Sequence, residues 1–136
     1  MITYTNAQFR SIMFGLGYIA KDFADLAAGY PVTTDNSPLT GNKIVEGIRN
    51  FQADYRLLVD GIVGAKTMAK AQEVMKTLQY KLNVVVDAGL PKDQPYYGPK
   101  TVAAVKKLQS QMGVLPTGVA NHALRVKLDE LAKTDS

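Results

Sequence analysis

Residues 44–67, IVEGIRNFQADYRLLVDGIVGAKT, and residues 101–124, TVAAVKKLQSQMGVLPTGVANHAL, decide the fold because they align without a gap. The offset is a constant 57 positions, so that Phe51-Gln52 falls on Leu108-Gln109. An internal repeat of this kind means that one small supersecondary unit is used twice. Duplication extends a surface more readily than it builds a reaction centre, and the repeat therefore favours binding over catalysis.

Length and composition limit the classes of protein to which the chain can belong. Its 136 residues are 46% hydrophobic and 21% charged, which is typical of a soluble globular protein. Half of the chain, about 65 residues, is a marginal size for an independent core, so the two units are expected to share an element or pack together. The absence of cysteine excludes disulfides, thiolate metal sites and a cysteine nucleophile.

The charge of the chain is moderately positive, with a net value of +4 and a pI near 9.3. The basic residues are scattered along the sequence instead of forming a block interleaved with aromatic residues. This pattern indicates a mild preference for anionic partners and predicts no nucleic-acid partner.

The apolar stretch from Ile12 to Ala20 is the only segment that resembles a signal peptide. The residues before it, Ile2 to Phe9, carry no positive charge and contain a capping box, Thr5-x-x-Gln8, which marks the start of a helix. The stretch is therefore predicted to belong to the first helix. Without a signal peptide the expected location is the cytoplasm, unless the chain is exported by a non-classical route or released by lysis. No run reaches the length of a transmembrane helix.

Apolar spacing and helix breakers predict a fold made only of helices. The predicted helices cover residues 6–16, 42–55, 65–82, 99–112 and 121–132, with one further helical turn over 21–28. The third helix contains no breaker, so it is expected to join the two units rigidly. The fold class is thus all-α, with two three-helix-bundle lobes, residues 1–72 and 73–136, that share the long central helix over about 65–82. Phe51 and Leu108 should lie buried at the centres of the lobes.

The loop from Leu57 to Gly64 combines an Asp60-Gly61 turn with several apolar residues. Val59, Ile62 and Val63 are expected to cap the end of the first bundle. Asp60 either holds its own turn through a side-chain hydrogen bond or contacts a ligand, and the first role is the commoner one.

Two motifs carry a resemblance to a known family. They read Phe51-Gln52-x4-Leu57-x2-Asp60-Gly61-Ile62-Val63-Gly64-x2-Thr67 and Tyr97-Gly98-Pro99-Lys100-Thr101-x3-Val105-x2-Leu108-Gln109-x3-Gly113. Together with Leu16-Gly17-Tyr18 at the end of the first helix, they resemble the helical peptidoglycan-binding domain of bacterial cell-wall hydrolases. The resemblance implies two tandem or partly overlapping copies of a three-helix bundle.

The second copy departs from the family pattern, with Thr117 at the loop aspartate and Asn121 at the second glycine. The first copy departs too, with Asn42 and Ile44 in place of proline and threonine.

The chemistry expected from the sequence is binding without catalysis, a cofactor or a metal. His122 is the only histidine and has no acid or thiol at a useful spacing, and the serines and carboxylates form no catalytic pattern. The family resemblance implies a non-catalytic module that binds the stem peptide or the glycan of peptidoglycan. The alternative is a cytoplasmic adaptor or self-assembling structural protein on the same scaffold, with a protein partner. The oligomeric state is not predicted.

The helix starts suggest a place for the ligand. Gly-x-Lys opens three of the predicted helices, at Gly41, Gly64 and Gly98, and a lysine beside free backbone N–H groups outlines an anion site. The carboxylates of a stem peptide would suit it, although the lysines can equally extend into water. Tyrosines at the loop–helix junctions, Tyr18 and Tyr96-Tyr97, can stack on sugars or close the open end of a bundle. The predicted ligand-binding residues are Lys43, Asp60, Gly61, Gly64, Lys66, Thr67, Tyr97, Lys100 and Thr101.

Overall fold

The computed structural model describes residues 3–19 and 30–135, and within these ranges the protein contains five helices and no strand. The helices are α1 (Asn6–Gly15), α2 (Asn42–Asp54), α3 (Ala65–Val86), α4 (Pro99–Gln111) and α5 (His122–Asp135). The predicted all-α class is confirmed. The further turn predicted over 21–28 lies outside the described residues. Within the described part, no helix combines the length and apolarity needed to cross a bilayer.

The helix starts follow from local chemistry that is visible in the sequence. At α1, the Gln8 N–H donates to Thr5 Oγ1 over 3.1 Å and the Thr5 N–H donates to Gln8 Oε1 over 2.9 Å, which confirms the capping box. Helices α2, α3 and α4 each begin after a glycine. Proline is the first residue of α4, where its missing N–H costs no helical hydrogen bond.

Helix α3 extends further than predicted. It continues past Leu82 to Val86, so the prediction that a connection begins at Val84 was wrong for its first three residues. Three consecutive valines lower the intrinsic helix propensity, but Leu82 and Val86 are both buried in the core, and packing overrides propensity. The residue after the helix, Asp87, adopts a left-handed conformation with φ of 52°.

The core is one cluster of buried apolar side chains to which all five helices contribute. Phe51 and Leu108 occupy equivalent positions in it and are 0% and 1% exposed, as predicted. Helix α3 packs against both α4 and α5. The division into two lobes, with α3 shared between them, stays a prediction.

The end of α1 lies against the loops on either side of α4. A Cβ atom on Gly15 would come within 2.4 Å of the Tyr97 ring, so this close approach requires glycine. The Ala120 N–H donates to the Gly15 carbonyl over 2.7 Å. The N-terminal helix is therefore fastened to the second repeat, far away in sequence.

The loop before α3 differs from its prediction. Val59 and Ile62 were expected to cap the bundle, but they are 49% and 67% exposed, and Leu58 is 81% exposed. Of the three residues predicted to cap the bundle, Val63 alone packs against the core. These side chains point outward because a polar side chain from α2 occupies the inside of the loop.

Candidate functional site

Gln52 from α2 holds the first loop through a set of hydrogen bonds. Its amide nitrogen donates to Asp60 Oδ1 over 3.0 Å and to Thr67 Oγ1 over 3.1 Å. Its amide oxygen accepts from the Gly61 N–H over 2.9 Å, and Asp60 Oδ1 accepts from the Ile62 N–H over 3.0 Å. The Ile62 N–H, followed by the Gln52 amide, lowers the pKa of Asp60 below its usual value. Three of the predicted ligand-binding residues, Asp60, Gly61 and Thr67, thus belong to a loop-holding network.

Gln109 from α4 holds the second loop through a similar but smaller set of hydrogen bonds. Its nitrogen donates to Thr117 Oγ1 over 3.0 Å, and its oxygen accepts from the Gly118 N–H over 2.9 Å. Thr117 Oγ1 accepts from the Val119 N–H over 3.1 Å, as Asp60 accepts from Ile62. Thr117 replaces the aspartate of the family pattern without loss of the hydrogen bonds, because either side chain supplies the oxygen acceptor.

The remaining predicted ligand residues are divided between surface and core. Lys43, Lys66 and Lys100 are each the second residue of a helix and lie on the surface, as does Gly64. Tyr97 is 2% exposed and its hydroxyl donates to the Gly118 carbonyl over 2.6 Å, so its ring closes the bundle from inside. Thr101 is buried as well, with its hydroxyl donating to the Tyr96 carbonyl. A ligand role for these residues stays a prediction.

The structure brings other residues together in a groove between α3 and α5. The groove has a volume of about 340 Å³. Leu78 and Leu128, both buried, form its floor, and the half-exposed Tyr55 from the end of α2 lies at one end. Further lining side chains are Lys70, Glu73, Val74, Thr77, Lys81, His122, Arg125, Val126 and Asp129. The groove thus combines an apolar floor with a charged rim.

A polar corner continues the groove past Tyr55 and His122. There the Tyr18 hydroxyl donates to Asp54 Oδ2 over 2.6 Å. Burial, and then the hydrogen bond to Asp54, raise the pKa of Tyr18 well above its usual value, so that the hydroxyl remains a donor. The Arg125 guanidinium lies 5.7 Å from the centre of the Tyr18 ring, within cation–π range.

Arg125 is also a structural tie between the two ends of the chain. Its Nη1 donates to the Leu16 carbonyl over 2.8 Å and to the Ala120 carbonyl over 2.6 Å. The Leu16 carbonyl at the end of α1 is thereby satisfied by a side chain from α5. Arg125 therefore fixes the position of Tyr18 relative to the groove.

An ion pair closes the opposite end of the groove. Lys81 Nζ of α3 lies 2.8 Å from Asp129 Oδ1 of α5, and Lys133 lies 3.0 Å from the other oxygen. The hydrogen bond from Lys81, followed by that from Lys133, lowers the pKa of Asp129. Asp129 is thus charged at neutral pH and already paired, so it sets the border of the groove.

The groove has the chemistry of a binding site. Half-exposed tyrosine rings beside a carboxylate and an apolar floor suit a ligand with both apolar and hydroxyl- or amide-bearing faces, such as a sugar or a peptide. Among the described residues, no group of histidine, cysteine or acidic side chains is arranged to hold a metal ion.

Sequence reasoning missed the residues that form this groove. The sequence did not indicate that Asp54 and His122 lie near Tyr18 and Tyr55, because that proximity depends on how helices that are distant in sequence pack together. A partial signal existed in Leu16-Gly17-Tyr18, which marks the place where the chain leaves α1. Arg125 gave no signal, since one arginine in an amphipathic helix is commonly solvated.

Comparisons with known proteins identify a family. The family described as "Putative peptidoglycan binding domain" matches the chain twice, over residues 26–71 and 71–128. A protein of Kitasatospora aureofaciens described as "Uncharacterized protein in bpoA1 3'region" is 31% identical over 104 residues, which cover 76% of this chain and 81% of that protein. No solved structure matches the chain significantly. The resemblance predicted from the motifs is thereby confirmed, and the two matches meet inside α3.

Proposed function

Because the chain belongs to the peptidoglycan binding domain family, we propose that it is a non-catalytic module that binds peptidoglycan in the groove between α3 and α5. The observation that carries this proposal is the position of the groove at the junction of the two family matches. Tyr55 and Lys70 come from the first match, whereas Val126 and most of the α3 and α5 lining come from the second. A ligand in the groove would therefore require both repeats.

The groove and the lysine-bearing helix starts make different predictions about salt. A ligand held over Leu78 and Leu128 and against tyrosine rings is bound mainly by apolar contact, which added salt does not weaken. A carboxylate held by exposed Lys43 and Lys66 is bound by charge alone, and this attraction is screened at moderate salt. If the helix starts bind, the first repeat, which keeps more of the glycine loop, should be the stronger site.

The test is sedimentation of the purified protein with insoluble cell-wall sacculi at low and moderate salt. The variant Thr77→Gln plus Val126→Gln fills the groove from two exposed positions and leaves the net charge unchanged. Its matched control, Ala69→Gln plus Ala103→Gln, places the same side chains at other exposed helix positions. We expect the wild type and the control to pellet at both salt concentrations, and the groove variant to stay in the supernatant.

Two other outcomes would contradict the proposal. If Lys43→Ala plus Lys66→Ala abolishes sedimentation while the groove variant pellets, the ligand binds at the helix starts and the groove proposal is wrong. If the wild type does not pellet under conditions in which a known wall-binding protein does, the protein is not a wall-binding module.

A second candidate is the adaptor or self-assembling protein, and a specific observation favours it. Leu58 and Leu115 occupy equivalent positions in the two repeats and are 81% and 78% exposed. Val59, Ile62 and Val114 extend these apolar loop tips. Large exposed apolar side chains of this kind often mark protein–protein contacts.

Light scattering over a range of protein concentrations tests this candidate. If the protein assembles, the wild type will show a mass that rises with concentration, and Leu58→Ser plus Leu115→Ser will return it to a monomer. If the wild type stays monomeric at every concentration, self-assembly is excluded and wall binding remains the favoured function.

A further inference from the structure

The loop between α4 and α5 holds apolar side chains out in solvent. Leu115 is 78% exposed and Val114 is 49% exposed. Two backbone hydrogen bonds fix the shape of the loop around them. The Val114 N–H donates to the Gln109 carbonyl over 3.0 Å, and the Thr117 N–H donates to the Leu115 carbonyl over 2.9 Å. The tip of this second loop, residues 114–116, is therefore a fixed apolar projection.

A lysine from α4 lies directly against the same loop. A Cβ atom on Gly118 would lie only 3.3 Å from Lys106 Cε, and Gly118 adopts a φ of 79°. Glycine at this position thus leaves room for the aliphatic stem of the lysine to cross the loop. Lys106 is exposed, so its ammonium group reaches water beside the loop that carries Leu115.

The first repeat contains the same combination of a cation and an exposed leucine. The corresponding residues, Arg49, Leu58 and Gly61, each stand 57 positions earlier in the sequence. A Cβ atom on Gly61 would lie 3.2 Å from Arg49 Nε, and Leu58 is 81% exposed. The combination is therefore a property of the repeated unit.

The two repeats differ in the negative charge around the leucine. The first loop carries Asp60, whereas the second has Thr117 at that position. Between residues 94 and 128, a stretch that contains α4, the second loop and the start of α5, the sequence has no acidic residue. The same stretch contains five basic residues, Lys100, Lys106, Lys107, Arg125 and Lys127. Along the chain, only positive charge flanks the second leucine.

An apolar tip beside lysines matches a partner that is apolar inside and negatively charged at its surface. A soluble polyanion would use the lysines but would leave Leu115 in water. A second copy docked tip to tip would cover Leu115 but would bring the two Lys106 ammonium groups together, and like charges repel. An anionic lipid bilayer meets both needs, because its acyl region accepts the leucine and its phosphates attract the ammonium groups.

We propose that the second loop binds the surface of an anionic lipid bilayer, with Leu115 and Val114 among the acyl chains and Lys100 and Lys106 at the headgroup phosphates. Thr117 favours this contact because an aspartate there would be repelled by the same phosphates. The binding is peripheral and reversible, since its strength scales with the buried apolar area and one loop tip buries little. It does not depend on the α3–α5 groove or on wall binding.

Fluorescence of a single introduced tryptophan tests the insertion, because the chain contains no tryptophan of its own. In Leu115→Trp the emission should shift to shorter wavelength when phosphatidylglycerol vesicles are added at low salt. Phosphatidylcholine vesicles, which carry no net charge, should leave it unchanged. Leu58→Trp is the matched control at the equivalent position beside Asp60, and its emission should stay unchanged with both kinds of vesicle.

Sedimentation with phosphatidylglycerol vesicles measures the same contact without tryptophan. Leu115→Ser should raise the lipid concentration needed for half-maximal binding by about tenfold, because the inserted leucine is lost. Lys100→Ala plus Lys106→Ala should also weaken binding. Lys76→Ala plus Lys92→Ala, which removes the same charge from exposed positions outside α4 and its loop, should have a smaller effect.

Three results would overturn the proposal. The first is an unchanged emission of Leu115→Trp with phosphatidylglycerol, or equal shifts for the tryptophans at positions 58 and 115. The second is an equal loss of binding in the two lysine variants, which would show that net charge alone attracts the vesicles. The third is a shift of Leu115→Trp that appears without lipid and grows with protein concentration, which would show that a second copy covers the tip.

Discussion

At the scale of single residues, the clearest feature is one glutamine per repeat that holds a loop. Gln52 and Gln109 make matching hydrogen bonds to residues eight and nine positions further on. The side-chain acceptor in the loop is a carboxylate at Asp60 and a hydroxyl at Thr117, and only Gln52 also donates to a second hydroxyl, that of Thr67. The two loops therefore show a charged and an uncharged acceptor at equivalent positions.

Replacing Asp60 by the residue of the other repeat should change the dependence of stability on pH. The pKa of Asp60 is lowered in the folded state, so the carboxylate stabilises the fold above its usual pKa, and this contribution is lost as the pH falls through the folded value. Asp60→Thr keeps the oxygen acceptor but cannot titrate. Urea unfolding at about pH 7 and pH 3 should show a smaller loss of stability on acidification than in the wild type.

The reciprocal variant provides the control. Thr117→Asp should steepen the loss of stability in acid, because it introduces a carboxylate where the Gln109 amide and the Val119 N–H would lower its pKa. If both variants follow the wild-type pH profile, Asp60 holds its loop without help from its charge.

Removing the glutamine itself should be more damaging. Gln52→Ala leaves the buried Gly61 N–H and the buried Thr67 hydroxyl without their partner, at a cost of about 1–3 kcal/mol for each unpaired group. Urea denaturation should show the difference against Gln111→Ala, which truncates an exposed glutamine of α4. Equal midpoints for the two variants would contradict the proposed role of the network.

At the scale of secondary-structure elements, helix starts were predictable and helix packing was only partly so. The Thr5-Gln8 box and the glycines before α2, α3 and α4 act through neighbours in sequence, so the pattern alone sufficed. The end of α3 was missed because burial of Val86 outweighs a local propensity. The outward turn of Val59 and Ile62 was missed because the Gln52 side chain, not an apolar one, occupies the inside of the loop.

The contact of α1 with the loop before α4 should be sensitive to one methyl group. Gly15→Ala would press a Cβ atom against the Tyr97 ring, and overpacking of this kind costs about 1–3 kcal/mol. Thermal unfolding should show the loss. In a Tyr97→Leu background the same change should cost less, because a smaller side chain can move aside, and a double-mutant cycle measures the difference. Additive effects would show that the two sites do not press on each other.

At the scale of the whole molecule, the helices of both repeats form one cluster of buried side chains. The hydrogen bond from Arg125 to the Leu16 carbonyl joins the first helix to the last. Long-range contacts of this kind leave no periodic trace in the sequence. That is why the α3–α5 groove and the residues at its corner could not be predicted.

A single core predicts a single unfolding transition. Met75 is fully buried in the middle of α3, and its truncation to alanine should lower the free energy of unfolding by about 2–5 kcal/mol. The whole melting curve should then shift to a lower temperature. Calorimetry on the wild type and Met75→Ala measures this directly, with Lys66→Ala as an exposed control in the same helix. Two separate transitions would show that the repeats unfold independently.

Helix α3 passes from one family match to the next without interruption, and this continuity restricts how the sequence can change. A single residue inserted into an α-helix rotates everything beyond it by about 100° and shifts it by about 1.5 Å. Such an insertion near Ala71 would turn Leu78 and Lys81 away from α5 while Lys70 stayed in place. Relatives that keep the groove should therefore keep the length of α3, and should accept insertions and deletions in the connections between residues 30–41 and 87–98.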